Sequence, residues 1–281
     1  MTEWKKAVTL LCKRKAVVLA VGVVFAFIVL AIFAPQISPY DPYKQDLRKA
    51  FEGPSSEHWL GLDWIGRDVM SRLIYGARPS FQIAIIAVGI ASVSGTVLGL
   101  FAGYFGGWLD SVLMRLIDTL MAIPPLIFAL ALATMLGGGM RSVAIAIGVG
   151  MMPSCCRMMR GMVLSVRESE YVTAARAIGV GHIRIMFLYL LPNCIAPLIV
   201  MITLNIGMAI LAEASLSYLG IGITPPTAAW GAMIKHSYKY LFTYPLYSIA
   251  PGICIMLLVT SLNVMGDGLR DALDPRARNL R

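Results

Sequence analysis

The chain has no Gly-Lys pair anywhere in its 281 residues, so it lacks the G-x-x-x-x-G-K-[ST] loop that cradles nucleotide phosphates. Its three histidines, His58, His182 and His236, are scattered and make no spacing such as H-E-x-x-H, which removes the commonest metalloenzyme reading. The five cysteines, Cys12, Cys155, Cys156, Cys194 and Cys254, all lie in or beside apolar runs. None is placed for an extracytoplasmic disulfide or a zinc site, and they read as helix-packing residues. Charge is scarce as well, at 14% of residues, against roughly 25% in soluble domains. Positions 120–136, 142–156, 195–212 and 246–266 contain no Asp, Glu, Lys, Arg or His. An ion-gradient transporter keeps titratable groups within the bilayer, and these cores offer it no relay. No basic stripe is interleaved with aromatics, which argues against nucleic acid.

What is present is apolar: 58% hydrophobic residues and a mean hydropathy of +0.75. Six segments are long enough to cross a hydrocarbon core that needs roughly 17–25 residues: 16–34, 81–105, 117–136, 142–159, 194–212 and 246–265. The expected fold is an all-α polytopic membrane protein of six helices. Gly89, Ser92, Gly95 and Gly99 would permit close helix contact, and backbone freed by Pro153 or Pro251 must be satisfied by neighbouring helices. Placing the N-terminus inside leaves 15 Lys/Arg in cytoplasmic segments and nine outside, of 24 in all, which predicts both termini in the cytoplasm. The first apolar run is too long for a secretory signal and lacks a small-x-small site before Pro35, so it reads as a retained anchor.

The polar stretch 168–193, ESEYVTAARAIGVGHIRIMFLYLLPN, interrupts these runs. Tyr171, Ala174, Ala175 and Ile178 recur at helical spacing and predict one smooth face, with Glu168, Glu170 and Arg176 off the stripe. Gly179 and Gly181 end that helix, and a second short one from about His182 is expected to stop at Leu191-Pro192. This helix, Gly bend, helix knuckle resembles the EAA loop of the membrane subunits of ATP-binding cassette importers. Ala174, Ala175, Gly179, Leu191 and Pro192 fall at matching positions, while Thr173 stands for the usual Glu and Tyr189 for the usual Ile. The form E-Y-V-x-A-A-R-A-x-G is that of the dipeptide, oligopeptide and nickel uptake branch.

Three further stretches resemble that branch. HWLGLDWIGRDVMSRLIYGARPS, 58–80, carries H-x-L-G-T-D-x-x-G-R-D with Leu62 for the usual Thr, and so includes His58, Gly61, Asp63, Gly66, Arg67 and Asp68. Val69, Leu73 and Ile74 suggest a short surface helix there, with Arg67, Asp68 and Arg72 pairing locally; its role is to brace the outer mouth or to contact substrate. GYFGGWLDSVLMRLIDTLMAIPPLIFALAL, 103–132, has a double Gly for a tight turn, Asp110, Arg115 and Asp118 at a membrane edge, and Pro124-Pro125 to bend the third span, a bend that could line a pathway or serve packing. AEASLSYLGIGITPPTAAWGAMI, 212–234, includes Glu213 and Ser217. Glu213 either meets a substrate amine or metal, or braces a surface helix. The ending GDGLRDALDPRARNLR also matches and reads as a solvated cytoplasmic end that could touch the ATPase.

The resemblance implies the type I importer permease fold and a division into a cytoplasmic start (1–15), first helix (16–34), outer segment (35–80), five-helix core (81–266) with its coupling loop at 165–193, and cytoplasmic tail (267–281). It implies the second-type permease subunit of an inner-membrane importer, paired with another permease subunit, two cytosolic ATPases and an extracytoplasmic binding protein. ATP and Mg would sit on those partners, and this chain would hold no cofactor and no metal. Peptides are the expected cargo and a nickel or other metal chelate the alternative. Coupling is expected from Glu170, Tyr171, Ala174, Ala175, Arg176, Gly179, Gly181, Leu191 and Pro192, and pathway contacts from Glu213, Ser217, Pro124 and Pro125.

Overall fold

A computed structural model describes residues 14–273. Cys12 and the charged tail past Leu273 lie outside the described residues. Ten helices organise the rest: α1 (Lys15–Ile32), α2 (Val69–Phe105), α3 (Gly107–Met121), α4 (Pro125–Met135), α5 (Gly139–Val166), α6 (Glu170–Ala177), α7 (His182–Ile185), α8 (Leu191–Leu219), α9 (Trp230–Ser237) and α10 (Pro245–Leu273). The remaining helical pieces are single turns of three to five residues.

Three expectations change. The predicted short surface helix after Gly66 is the first part of α2, which runs 37 residues without interruption, about 55 Å at 1.5 Å per residue. Asp68 starts it by accepting the Ser71 amide at 2.7 Å. Pro79 removes one backbone donor but does not end it; Ala77, Pro79 and Ile83 are all buried there. The third span is not one helix: α3 and α4 meet at 90°. Each proline keeps the residue before it out of the α region, and Pro124 is extended (φ −53°, ψ 129°) while Pro125 opens α4. Finally, the chain does not stop at Pro192. A wide π turn over Met186–Leu190 carries α7 into α8, so His182–Leu219 is one span of 38 residues. The Leu191 amide reaches back to Met186, and Pro192, near the start of α8, needs no donor of its own.

Five helices are long and apolar enough to cross a membrane, and six spans result if the bent pair counts as one. The contacts decide for six. Arg167, after α5, donates to the Gly103 carbonyl at 2.9 Å, which puts the start of α3 beside α6. The Gly139 amide donates to Ile221 at 3.3 Å, which puts the end of α4 beside the loop after α8, at the opposite end of the bundle. The bent pair therefore crosses the bundle once. Six crossings return the chain to its starting side, in accord with the ion pair between Arg14, before α1, and Asp271, near the end of α10.

The tightest contact in the bundle joins α2 and α5. A Cβ on Gly99 would lie 2.4 Å from the Cys156 carbonyl oxygen, and one on Gly95 2.5 Å from the Cys155 Cβ. Ser92, Gly95, Gly99 and Gly103 sit at helical spacing on this seam and are buried. Gly89, expected on the same face, lies off it and faces open space.

Candidate functional site

The knuckle stands on an apolar cluster of its own, distinct from the bundle core. Val172 and Ala175 of α6, Ile185 of α7, and Met186 and Leu190 of the π turn pack against Leu100 and Tyr104 of α2 and Met159 and Val163 of α5. Ala175 is 4% exposed and so belongs to this internal face, not to the outward stripe in which spacing had put it. The outward face of α6 carries Tyr171, Ala174 and Ile178, the last 80% exposed, with Glu170 and Arg176 beside them. Gly179 closes the helix at φ +78°. Its amide donates to Arg176 and the Val180 amide to Ala175, each at 3.0 Å, the paired bonds of a Schellman ending that requires a left-handed residue. Gly181 then leads into α7 in an extended conformation (φ −61°, ψ 147°). Leu191 and Pro192 lie a turn and a half beyond α7, within the continuous helix and away from the outward face of α6.

Tyr104, at the end of α2, is held between both parts of the knuckle. Its hydroxyl lies 2.8 Å from His182 Nδ1, and the Arg176 guanidinium sits 5.2 Å from its ring centre. Two ion pairs tie α3 to α5 on the same side, Asp110 with Arg160 and Asp118 with Arg157. The second is solvated, with side chains 62% and 51% exposed, and contributes little.

At the opposite end, the expected outer motif forms a buried charge knot. Asp63 is fully buried. Its Oδ2 accepts from Arg67 Nε at 2.7 Å and lies 3.7 Å from Arg72 Nε, while its Oδ1 accepts the Ile65 and Arg67 amides at 3.0 Å. Asp68 pairs with His58 at 2.9 Å rather than with an arginine. Arg72 reaches further, donating to the carbonyls of Pro42 at 3.0 Å and Pro226 at 3.4 Å, and so binds the segment before α2 to the loop before α9. Gly61 and Gly66 both have positive φ, and a Cβ on Gly66 would fall 1.9 Å from the Asp46 carbonyl oxygen. His58, Gly61, Asp63, Gly66, Arg67 and Asp68 all lie within this knot. Trp230, fully buried, completes it by donating from Nε1 to the Leu73 carbonyl at 2.9 Å.

Glu213, expected to meet a substrate or to brace a helix, lies inside the bundle. It is fully buried, accepts from Ser80 at 3.1 Å and from Ser217 at 2.7 Å, and the Ser217 hydroxyl in turn accepts the Ile223 amide at 3.1 Å. Glu213 and Ser217 thus fasten the C-terminal end of α8 to α2 and to the following loop. Pro125 does border open space: an apolar hollow of about 220 Å³ lies among α4, α5 and α8, walled by Pro125, Leu126, Met151, Met208, Leu211 and Ser215. Pro124 is exposed at the break. Sequence reasoning missed Met151, Met208 and Leu211, which carry no polar signal.

Comparison with known proteins agrees with this geometry. Residues 95–279 match the family described as binding-protein-dependent transport system inner membrane component, and residues 2–54 match the N-terminal transmembrane domain of oligopeptide transport permease C. The chain belongs to this permease family. It is a membrane subunit of an ATP-binding cassette importer and not itself an enzyme. It is 40% identical over 279 residues to the dipeptide transport system permease protein of Alkalihalophilus pseudofirmus, covering 99% of this chain and 92% of that one. It is 39% identical over 268 residues to the glutathione transport system permease protein of Pectobacterium atrosepticum, covering 95% and 89%. In fold, it is similar to a chain of the inward-facing MetNI methionine ABC transporter at TM-score 0.60, with 18% identity over 73% of this chain and 97% of that one.

Proposed function

We propose that this permease carries di- or oligopeptides across a bacterial inner membrane, together with a second permease subunit. In this reading both termini and the knuckle face the cytoplasm, and an extracytoplasmic binding protein delivers the cargo. ATP and Mg are held by two cytosolic subunits, and the outward face of α6 docks on one of them. The observation that carries the cargo assignment is the near-full-length identity to permeases named for dipeptide and glutathione transport. Docking is supported by the solvent-facing Tyr171, Ala174 and Ile178, mostly apolar side chains left exposed beside a helix otherwise anchored to the bundle. The apolar hollow bordered by Pro125 suits a path that does not hold its cargo tightly.

Vesicles containing the complete transporter and its binding protein should take up labelled dialanine only with ATP inside, at the knuckle side. Vesicles with this chain alone should take up none, with ATP or with an imposed ion gradient. Uptake by the chain alone on a gradient would refute the reading.

A further inference from the structure

The C-terminal end of α2 is gripped by three cations or potential cations from successive parts of the knuckle region. Arg167 donates to the Gly103 carbonyl, Arg176 lies over the Tyr104 ring, and His182 meets the Tyr104 hydroxyl. Positive groups at the C-terminus of a 37-residue helix are favoured by its dipole and by its unpaired final carbonyls. Tyr104 is the one side chain among these contacts that touches both arms, α6 through Arg176 and α7 through His182. A Cβ on Gly179 or Gly181 would meet nothing within 4 Å, so between the arms only Val180 packs on the apolar cluster. The angle between the arms is therefore fixed by what they hold in common. Phe105 closes the other side of the His182 ring at 5.8 Å.

We infer that Tyr104 is a positioning residue for energy coupling: its hydroxyl and ring lock the two arms of the knuckle to the end of α2, so that force on α6 is delivered to α2 and not lost in bending at Gly179. The inference rests on the docking reading above. It assigns the transmission of that docking to one tyrosine outside the knuckle itself.

The test uses the assembled transporter in vesicles, with Tyr104→Phe, His182→Leu and His182→Gln compared with the parent. Loss of the hydroxyl or of its partner should lower dialanine taken up per ATP hydrolysed by about three- to tenfold, the scale of one hydrogen bond. Assembly and ATP hydrolysis should be kept. His182→Gln, which retains a hydrogen-bonding group, should recover much of the ratio. Tyr104→Phe combined with His182→Leu should be no worse than either alone. Spin labels at positions 178 and 108 give a readout that needs no cargo, and their distance distribution should broaden in Tyr104→Phe. A parent-like ratio together with an unbroadened distribution overturns the inference, as do fully additive losses. Crosslinking from position 174 to the ATPase separates the two claims: a crosslink that persists while Tyr104→Phe has no effect sinks only the role of Tyr104, and no crosslink in the parent sinks the docking and this inference with it.

Discussion

Replacing Asp63 by Ala is expected to open the buried charge knot before α2, and the size of the effect follows from what is left behind. Asp63 is fully buried and Arg67 is 3% exposed, so the guanidinium would remain in the interior without its counter-charge. The Ile65 and Arg67 amides would also lose the acceptor they share. Removing one partner of a buried ion pair costs about 3–5 kcal/mol, because the surviving charge has been desolvated with nothing in return. The loss should appear locally, in the amides the brace protects: Phe51, which donates to the Asp63 carbonyl at 3.1 Å, Leu62, which donates to Glu52 at 2.9 Å, and Asp63 itself, which donates to Arg67 at 2.9 Å. If these exchange by local opening, hydrogen exchange followed by mass spectrometry should quicken by about a hundredfold to a few thousandfold in peptides covering 51–69. Asp63→Asn should lie between, since its oxygen can still accept both amides while its charge is lost. Asp41→Ala, at an exposed aspartate, should leave the peptide unchanged. Exchange in Asp63→Ala within about tenfold of the parent would show that the pair is not holding the segment.

Three other outcomes are expected. Ala174→Glu, on the outward face of α6, should keep assembly near normal and reduce ATP-driven uptake at least tenfold, whereas Ala175→Glu buries a carboxylate and should lower the amount of folded protein; uptake assays beside detergent-extraction profiles separate the two. Single cysteines at positions 182 and 58, in a background without the native ones, should be labelled only from the cytoplasm and only from outside respectively, and the reverse pattern would overturn the proposed orientation. Gly99→Ala should destabilise by about 1–3 kcal/mol, because its Cβ would press on the backbone of α5. Gly89→Ala, in open space on the same helix, should be neutral or stabilise by up to about 1 kcal/mol; equal thermal stability of the two variants in detergent would refute the seam.

Where sequence reasoning succeeded, the determinant was local. The Gly179 bend was legible because only a left-handed residue completes that helix ending, whereas the pairing expected of Asp68 with Arg67 and Arg72 gives way to Asp68 on His58 and Asp63 on Arg67. Where it failed, the determinant lay far along the chain or on an ambiguous side. A helical stripe says which residues share a face but not which way the face points. Ala175 was therefore grouped with Tyr171 and Ile178, although it turns inward with Val172 onto Tyr104 and Val163. Glu213 was left between a substrate contact and a brace because it is an acid at the end of an apolar run. Its partner Ser80 is 133 positions away, and nothing around either residue announces the other. The same holds for Asp110, whose partner Arg160 lies 50 positions on, in another helix. The double proline announced a bend, but its size, 90°, depends on how α4 packs on α5.

These placements give the permease two ends of different character, joined by one stiff part. At the end away from the knuckle the ties are mostly buried: the Asp63–Arg67 pair, the Arg72 bond to Pro42, and Ser80 on Glu213. At the knuckle end they are more exposed, with Arg157 and Asp118 largely solvated and Arg176 at the surface. Exposed pairs are individually weak and exchange readily, whereas buried ones open only at the cost of stranding a charge. Between the ends runs α2, fused to α5 along the glycine seam and too closely packed there to slide without backbone collision. Arg72 and Ser80 belong to its N-terminal part and Tyr104 to its C-terminal end, so one helix holds both sets of ties. If the knuckle passes a displacement to Tyr104, as proposed above, the close seam with α5 favours moving the Asp63 knot together with α2, while the solvated Asp118–Arg157 pair is the weaker tie.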